Sequence, residues 1–129
     1  MKRKLNCNLA LFSIGGISYG LIEIIWRKYT HWTMVLTGGF CFVVLYRIFK
    51  RLVGIAMWKK CMIGSSVITS VEFVVGCAVN LKAKMNVWDY SGLPFNFKGQ
   101  ICLIYSILWA ALTVPISGVC SLLRKRFDF

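Results

Sequence analysis

Two of the four acidic residues in this 129-residue chain lie inside long apolar runs. A charged side chain near the centre of a bilayer costs at least about 2.5–3.5 kcal/mol, so a carboxylate in such a run is a candidate for function. Glu72 has no basic residue within four positions. It must therefore pair with another helix, lie in a hydrated cavity or stay protonated, because burial favours the neutral acid. Two hypotheses stay open: a proton or cation site, and a protonated glutamate that bonds across the helices.

The second acid, Glu23, lies near the end of its apolar run, and Arg27 follows four residues later. Residues four apart are neighbours on a helix surface, so an ion pair with Arg27 can satisfy Glu23. We name Glu72, Glu23 and Arg27 as candidates for binding an ion or ligand.

Aromatic and polar side chains gather in two segments between apolar runs. The candidates are His31 and Trp32 in the first segment, and Trp88, Asp89, Tyr90, Asn96 and Gln100 in the second. Such aromatic residues form either a belt at the membrane interface or a packed lid with polar contacts. Asp89 can cap a turn, which Gly92 and Pro94 favour, or meet Arg27 or Lys28 of the first segment.

The sequence lacks the patterns of other kinds of site. His31 is the only histidine, which leaves both a metal site and a Ser-His-Asp triad without support. No G-x-x-x-x-G-K-[ST] phosphate loop is present, and the basic residues flank apolar runs rather than forming a groove for nucleic acid. We therefore predict no enzymatic activity, metal, cofactor or nucleic-acid partner.

The six cysteines form no Cys-x-x-Cys pair, so a zinc or thioredoxin-like motif has no support. Most lie inside apolar runs, which favours buried thiols. A disulfide between Cys41 and Cys102 is the alternative.

The composition of the chain predicts the helices that position these residues. Apolar residues make up 58% of the chain and charged residues 16%, against about 25% charged in soluble domains. Lipid is the natural solvent for this surface. A spanning helix needs about 20 apolar residues, and four runs qualify, at 5–26, 30–49, 61–81 and 100–123. Pro115 should kink the last. We predict an all-α fold, an integral membrane four-helix bundle that forms a single transmembrane domain over 1–129.

The basic residues predict the orientation of the helices. Cytoplasmic loops carry an excess of Lys and Arg. Eleven such residues lie in the two tails and the middle loop (Lys2, Arg3, Lys4, Arg47, Lys50, Arg51, Lys59, Lys60, Arg124, Lys125 and Arg126), and five lie on the other side (Arg27, Lys28, Lys82, Lys84 and Lys98). We predict a multi-pass protein of the cytoplasmic membrane with both termini in the cytoplasm and the middle loop along the inner interface.

The chain also resembles two copies of one helical hairpin. The first run has Gly16, Gly20, Glu23 and Arg27, and the third has Ser65, Thr69, Glu72 and Gly76 at the same spacing, 49 residues on. This spacing lies on one helix face, and small residues let helices approach closely in lipid. We expect these stripes to face each other or a partner, unless the match is coincidence.

The second loop reads Trp-Asp-Tyr-Ser at 88–91, Pro-x-Asn at 94–96 and Gly-Gln-x-Cys at 99–102, before a last helix with Trp109. These motifs resemble those of the bacterial family labelled "putative type IV ABC-transporter" (CmpB-like). The first half is similar as well, with Gly15-Gly16, Tyr19-Gly20, Glu23, His31-Trp32 and Gly38-Gly39-Phe40-Cys41. The resemblance implies a permease-like role beside a separate ATPase.

The leading functional hypothesis is a transporter component of unknown substrate, with Glu72 and also Glu23 handling a cation or proton. Four helices are too few to enclose a wide path, so we expect a homo-oligomer or a membrane partner in addition to the lipid bilayer. The alternative is a non-transporting membrane scaffold or regulatory subunit.

Overall fold

The structure, a computed structural model, describes the backbone of residues 2–28, 31–85 and 87–127, and the side chains of these except at 2–5, 27 and 127. The elements are α1 (Lys2–Arg27), α2 (Trp32–Arg51), α3 (Met57–Gly76), a π-helical segment (Cys77–Lys82) that continues α3, β1 (Asn96–Phe97), β2 (Ile101–Cys102) and α4 (Leu103–Phe127). The all-α class is confirmed, with one very small sheet.

Four helices are long and apolar enough to cross a membrane, as predicted: Asn6–Trp26, Trp32–Arg51, Met57–Lys82 and Leu103–Arg126. Most of their outward-facing side chains are apolar, for example Ile17 and Ile25 on α1 and Ile107 and Val114 on α4. Contiguous exposed apolar surface of this kind is unfavourable in water and favourable in lipid. That the helices form one transmembrane domain over 1–129 stays a prediction.

Several helix boundaries in the structure differ by a few residues from the predicted spans. The fourth helix begins at Leu103 and not at 100, because Gln100 belongs to a turn and Ile101 to a strand. The third begins at Met57 and not at 61, since Lys59 and Lys60 are accommodated in its first turn. The fourth ends beyond 123, where Arg124, Lys125 and Arg126 complement the negative end of the helix dipole. This helix also continues through Pro115.

The chain divides into two compact units, of which the first comprises Met1–Val53 and Gly118–Phe129. In it α1 and α2 lie antiparallel and close together: a Cβ added to Gly39 would lie 2.7 Å from the carbonyl oxygen of Phe12. Leu11, Leu45, Tyr46 and Cys120 form the most deeply buried part of this unit.

The second unit, Gly54–Ser117, contains α3, the π-helical segment, both strands and the first part of α4. α3 and α4 lie antiparallel here, since Lys60 Nζ donates to Ser117 Oγ at 3.2 Å and Thr69 Oγ1 lies 3.0 Å from Ser106 Oγ. The strands pair antiparallel, with Asn96 opposite Cys102.

All six cysteines are thiols in the structure. Cys7, Cys41, Cys102 and Cys120 are buried, in agreement with the expectation of buried thiols, and Cys61 and Cys77 are half-buried. A disulfide between Cys41 and Cys102 stays an untested alternative.

Candidate functional site

The carboxylate of Glu72 is buried on α3, with 4% of the residue exposed. Two side chains from later parts of the chain donate hydrogen bonds to it. The hydroxyl of Tyr90 donates to Oε2 at 3.2 Å, and the indole N–H of Trp109 donates to Oε1 at 3.4 Å. A buried polar group is costly unless it is hydrogen-bonded, and these donors lower that cost. The predicted bond from Glu72 to another helix is therefore present, in the form of Trp109 on α4.

Three aromatic rings line this carboxylate site. The rings of Tyr90 and Tyr105 are stacked, with centroids 4.7 Å apart and an interplanar angle of 10°. Tyr105 and Trp109, one turn apart on α4, are tilted at 6.0 Å. Offset-stacked and tilted pairs are the favourable arrangements for aromatic rings. The stack fixes the loop residue Tyr90 against α4 while its hydroxyl reaches α3.

Asn80 in the π-helical segment holds the start of the loop. Its Oδ1 accepts the backbone N–H of Val87 at 2.7 Å and of Trp88 at 3.4 Å. Its Nδ2 donates to Gln100 Oε1 at 2.9 Å, and the carbonyl of Gln100 accepts the Trp88 indole N–H at 3.0 Å. One amide thus ties both ends of the loop to the end of the third spanning helix.

The turn inside the loop is built from its own polar residues. The carboxylate of Asp89 accepts the backbone N–H of Ser91 at 2.9 Å, which lowers the pKa of Asp89 below its ordinary value. Asn96 Oδ1 accepts from the backbone N–H of Gly99 at 3.1 Å. Gly99 has φ +73, and a Cβ there would lie 2.8 Å from Asp89 Oδ1, so both conformation and space require glycine. Of the two contacts considered for Asp89, the turn cap is present.

Small polar residues pack α3 against α4 beside this site. Ser65 Oγ donates to the carbonyl of Ser106 at 2.7 Å, and Thr69 Oγ1 lies 3.0 Å from Ser106 Oγ. The stripe of Ser65 and Thr69 thus faces the second helix of its own hairpin. Gly16 and Gly20, the matching positions in the first unit, likewise face Val35 on α2.

The other predicted site residues lie in the first unit. Glu23 is buried, and Tyr19 on the same helix donates its hydroxyl to Glu23 Oε1 at 2.6 Å. The side chain of Arg27 lies outside the described part of the chain, so its ion pair with Glu23 stays a prediction. His31 is the N-cap of α2, since its Nδ1 accepts the backbone N–H of Thr33 at 3.2 Å; this is a structural role typical of capping side chains.

The two aromatic segments differ in burial. Trp88 is 4% exposed and belongs to a packed lid, whereas Trp32 is 62% exposed, as a residue of an interfacial belt would be. The burial of Trp88 supports the packed lid for the second segment, and the position of Trp32 in an interfacial belt stays a prediction. Within the described residues, no three His, Cys, Asp or Glu side chains are grouped to hold a metal ion.

Sequence reasoning missed Asn80 and Tyr105 and did not place Trp109 at the site. A signal existed for Asn80, because an amide inside an apolar run must find a partner. Tyr105 and Trp109 are spaced i,i+4 and share a helix face, but aromatic residues at that spacing are common in spanning helices.

Comparison with known proteins assigns the chain to a family. The model of the family described as "Putative ABC-transporter type IV" matches residues 9–127, nearly the whole chain and all of the site described above. No curated protein and no solved structure matches the chain significantly.

Proposed function

We propose a transport role for this chain, which belongs to the family described as "Putative ABC-transporter type IV". In this proposal it is a permease-like component of the cytoplasmic membrane with both termini in the cytoplasm. It carries out no reaction itself, because ATP hydrolysis lies with a separate ATPase. Four spanning helices enclose little space, so we propose that it works as a homo-oligomer or with a membrane partner.

The observation that carries the proposal is the buried Glu72 within a candidate span. Ionisable residues at membrane depth are costly and mark ion pathways and proton relays. Its two donors come from the loop and from α4, so a change in the charge of Glu72 acts on both elements. We assign Glu72 the binding of a proton or small cation during transport.

A carbodiimide experiment tests this assignment. Dicyclohexylcarbodiimide partitions into lipid and modifies protonated carboxyl groups, and mass spectrometry locates the adduct. In membrane vesicles at pH 6 we expect an adduct at Glu72. If the site binds a proton, the adduct yield should fall at least threefold when the pH is raised to 8. If it binds a cation, the yield should fall at least threefold when Na⁺ or K⁺ replaces choline. Asp128, which follows the last apolar run in the sequence, should give no adduct at either pH. A yield at Glu72 that none of these changes lowers would contradict the assignment.

Purification from native membranes tests the transport role. With the tagged chain in mild detergent, we expect a stoichiometric partner with a G-x-x-x-x-G-K-[ST] loop and ATP hydrolysis by the assembly in liposomes. Glu72→Gln should lower the hydrolysis rate at least fivefold, while Asp128→Asn leaves it within twofold. A stoichiometric membrane partner without ATP hydrolysis would favour a scaffold or regulatory subunit instead.

A further inference from the structure

The hydroxyl of Tyr46 is the one buried side-chain oxygen or nitrogen without a hydrogen-bond partner in the described part of the chain. Tyr46 lies on α2 in the first unit and is 0% exposed. Nearly all buried polar groups in native proteins are hydrogen-bonded, and an exception points to a water or ligand that completes the site. The tyrosine hydroxyl can donate one hydrogen bond and can also accept, and its proton requires an acceptor.

Two half-buried arginines lie near this hydroxyl. Arg47 follows Tyr46 on α2, and Arg124 of α4 contacts α2 three residues after Tyr46, so both lie close to this residue. The hydrogen bonds that the structure shows for these arginines go to neutral acceptors and not to carboxylates. Arg124 donates to the carbonyl of Phe49 at 3.4 Å, and Arg47 donates to Oδ1 of Asn8. Two guanidinium groups and a hydroxyl donor are the groups that bind a phosphate.

The position of these residues along the helices favours a lipid phosphate over a free phosphate ion. Tyr46 precedes the end of α2 at Arg51 by five residues, or about 7.5 Å along the helix. Arg124 lies in the last turn of its span, which ends at Arg126. The site is thus at the level of lipid headgroups, on the side where basic residues predict the cytoplasm. An inorganic phosphate ion would have to leave water to reach it.

We propose that Arg47, Arg124 and the Tyr46 hydroxyl bind the phosphate of an anionic phospholipid in the cytoplasmic leaflet. The neighbouring cysteines Cys7 and Cys120 are buried. The hydroxyl is covered by neighbouring side chains, and long arginine side chains can turn. In this proposal the two arginine side chains turn toward the headgroup, and a phosphate oxygen then reaches the hydroxyl.

Native mass spectrometry of the full chain tests the proposal. After exchange into micelles containing phosphatidylglycerol, the wild-type chain should retain one lipid molecule in preference to phosphatidylcholine. Arg124→Gln should lower this retention at least fivefold. Lys125→Gln removes an exposed charge one residue away and should change retention less than twofold. Equal losses in the two variants would show only diffuse attraction to a basic surface and would overturn the site.

Tyr46→Phe gives a test that does not depend on the arginine variants folding well. Because it removes an unpartnered buried hydroxyl, we expect an equal or higher Tm in phosphatidylcholine nanodiscs. In phosphatidylglycerol nanodiscs the wild type should gain at least 3 °C, and Tyr46→Phe less than half of that. An equal gain in both proteins would overturn the role of the hydroxyl. Release of the lipid by 10 mM inorganic phosphate would also overturn the proposal, since it would assign the site to the free ion.

Discussion

The hydroxyl of Tyr90 lies 3.2 Å from Oε2 of Glu72 and donates a hydrogen bond to it, although 18 residues separate the two along the chain. This bond joins the loop after the third span to a carboxylate inside that span. The ring of Tyr90 also stacks on Tyr105 of α4. The loop is thus held to both helices at the point where an ionisable group is buried.

Tyr90→Phe should separate the hydrogen bond from the ring stack. The variant keeps the stack and loses the donor to Glu72, so we expect the free energy of unfolding to fall by about 1 kcal/mol, the usual contribution of one hydrogen bond. Unfolding in mixed micelles followed by circular dichroism measures it. Tyr105→Phe keeps both the stack and the Tyr90–Glu72 bond and should cost less than about 0.5 kcal/mol, as substitutions that break no such feature do. Similar losses in the two variants would contradict a specific role for the bond.

Gly64→Ala should destabilise the α3–α4 hairpin. A Cβ at Gly64 would overlap Oγ1 of Thr113 and lie 2.6 Å from its Cγ2. Overpacking of this kind typically costs about 1–3 kcal/mol. The midpoint of thermal unfolding in detergent measures the effect.

Gly118→Ala is the matched control, because no atom lies within 4 Å of a Cβ added there. Alanine is favoured over glycine in a helix interior by about 1 kcal/mol, so this variant should be as stable as the wild type or more stable. A loss of stability equal to that of Gly64→Ala would show that close packing at Gly64 is not the cause.

The loop should lose stabilisation in acid through Asp89. The hydrogen bond from the backbone N–H of Ser91 lowers the pKa of Asp89 in the folded protein. The stabilisation that this bond gives is therefore fully present above pH 3.8, the ordinary pKa of an aspartate. It is lost as the pH falls through the lower pKa of the folded protein. The carboxyl carbon of Asp89 should therefore titrate in NMR with a midpoint below 3.8.

Asp89→Asn keeps an oxygen that can accept from Ser91 but has no charge to titrate. Limited proteolysis of its loop should not change with pH over the range in which the wild-type loop becomes easier to cleave. Equal acid sensitivity of the two proteins would contradict a role for Asp89.

Fusions of reporter proteins should fix the orientation. The charge bias places both termini in the cytoplasm, so a green fluorescent protein fused after Phe129 should fluoresce. Alkaline phosphatase inserted at Gly92, an exposed turn residue in the second loop, should be active outside the cytoplasm. The opposite pattern would reverse the assignment of the lipid site to the inner leaflet.

The sequence by itself determined the class of this protein and the number of its helices. Four apolar runs of spanning length depend only on local composition, because each spanning helix satisfies its own backbone hydrogen bonds in lipid. For Asp89 the sequence left two contacts open, a turn cap and a contact with Arg27 or Lys28, and the structure shows the cap, which joins residues two apart. The same local reasoning placed the start of the last helix at Gln100, because it did not predict that the turn at Gly99 includes Gln100.

Only the tertiary structure decided what surrounds Glu72. Its donors lie 18 and 37 residues away, and no spacing in the sequence states that a loop tyrosine and an α4 tryptophan meet one carboxylate. Likewise, burial alone distinguished Trp88 in the lid from the exposed Trp32, and the unpartnered hydroxyl of Tyr46 has no signature in the sequence. The physical reason is that hydrophobic transfer into lipid adds up residue by residue, whereas hydrogen-bond partners depend on how distant segments pack.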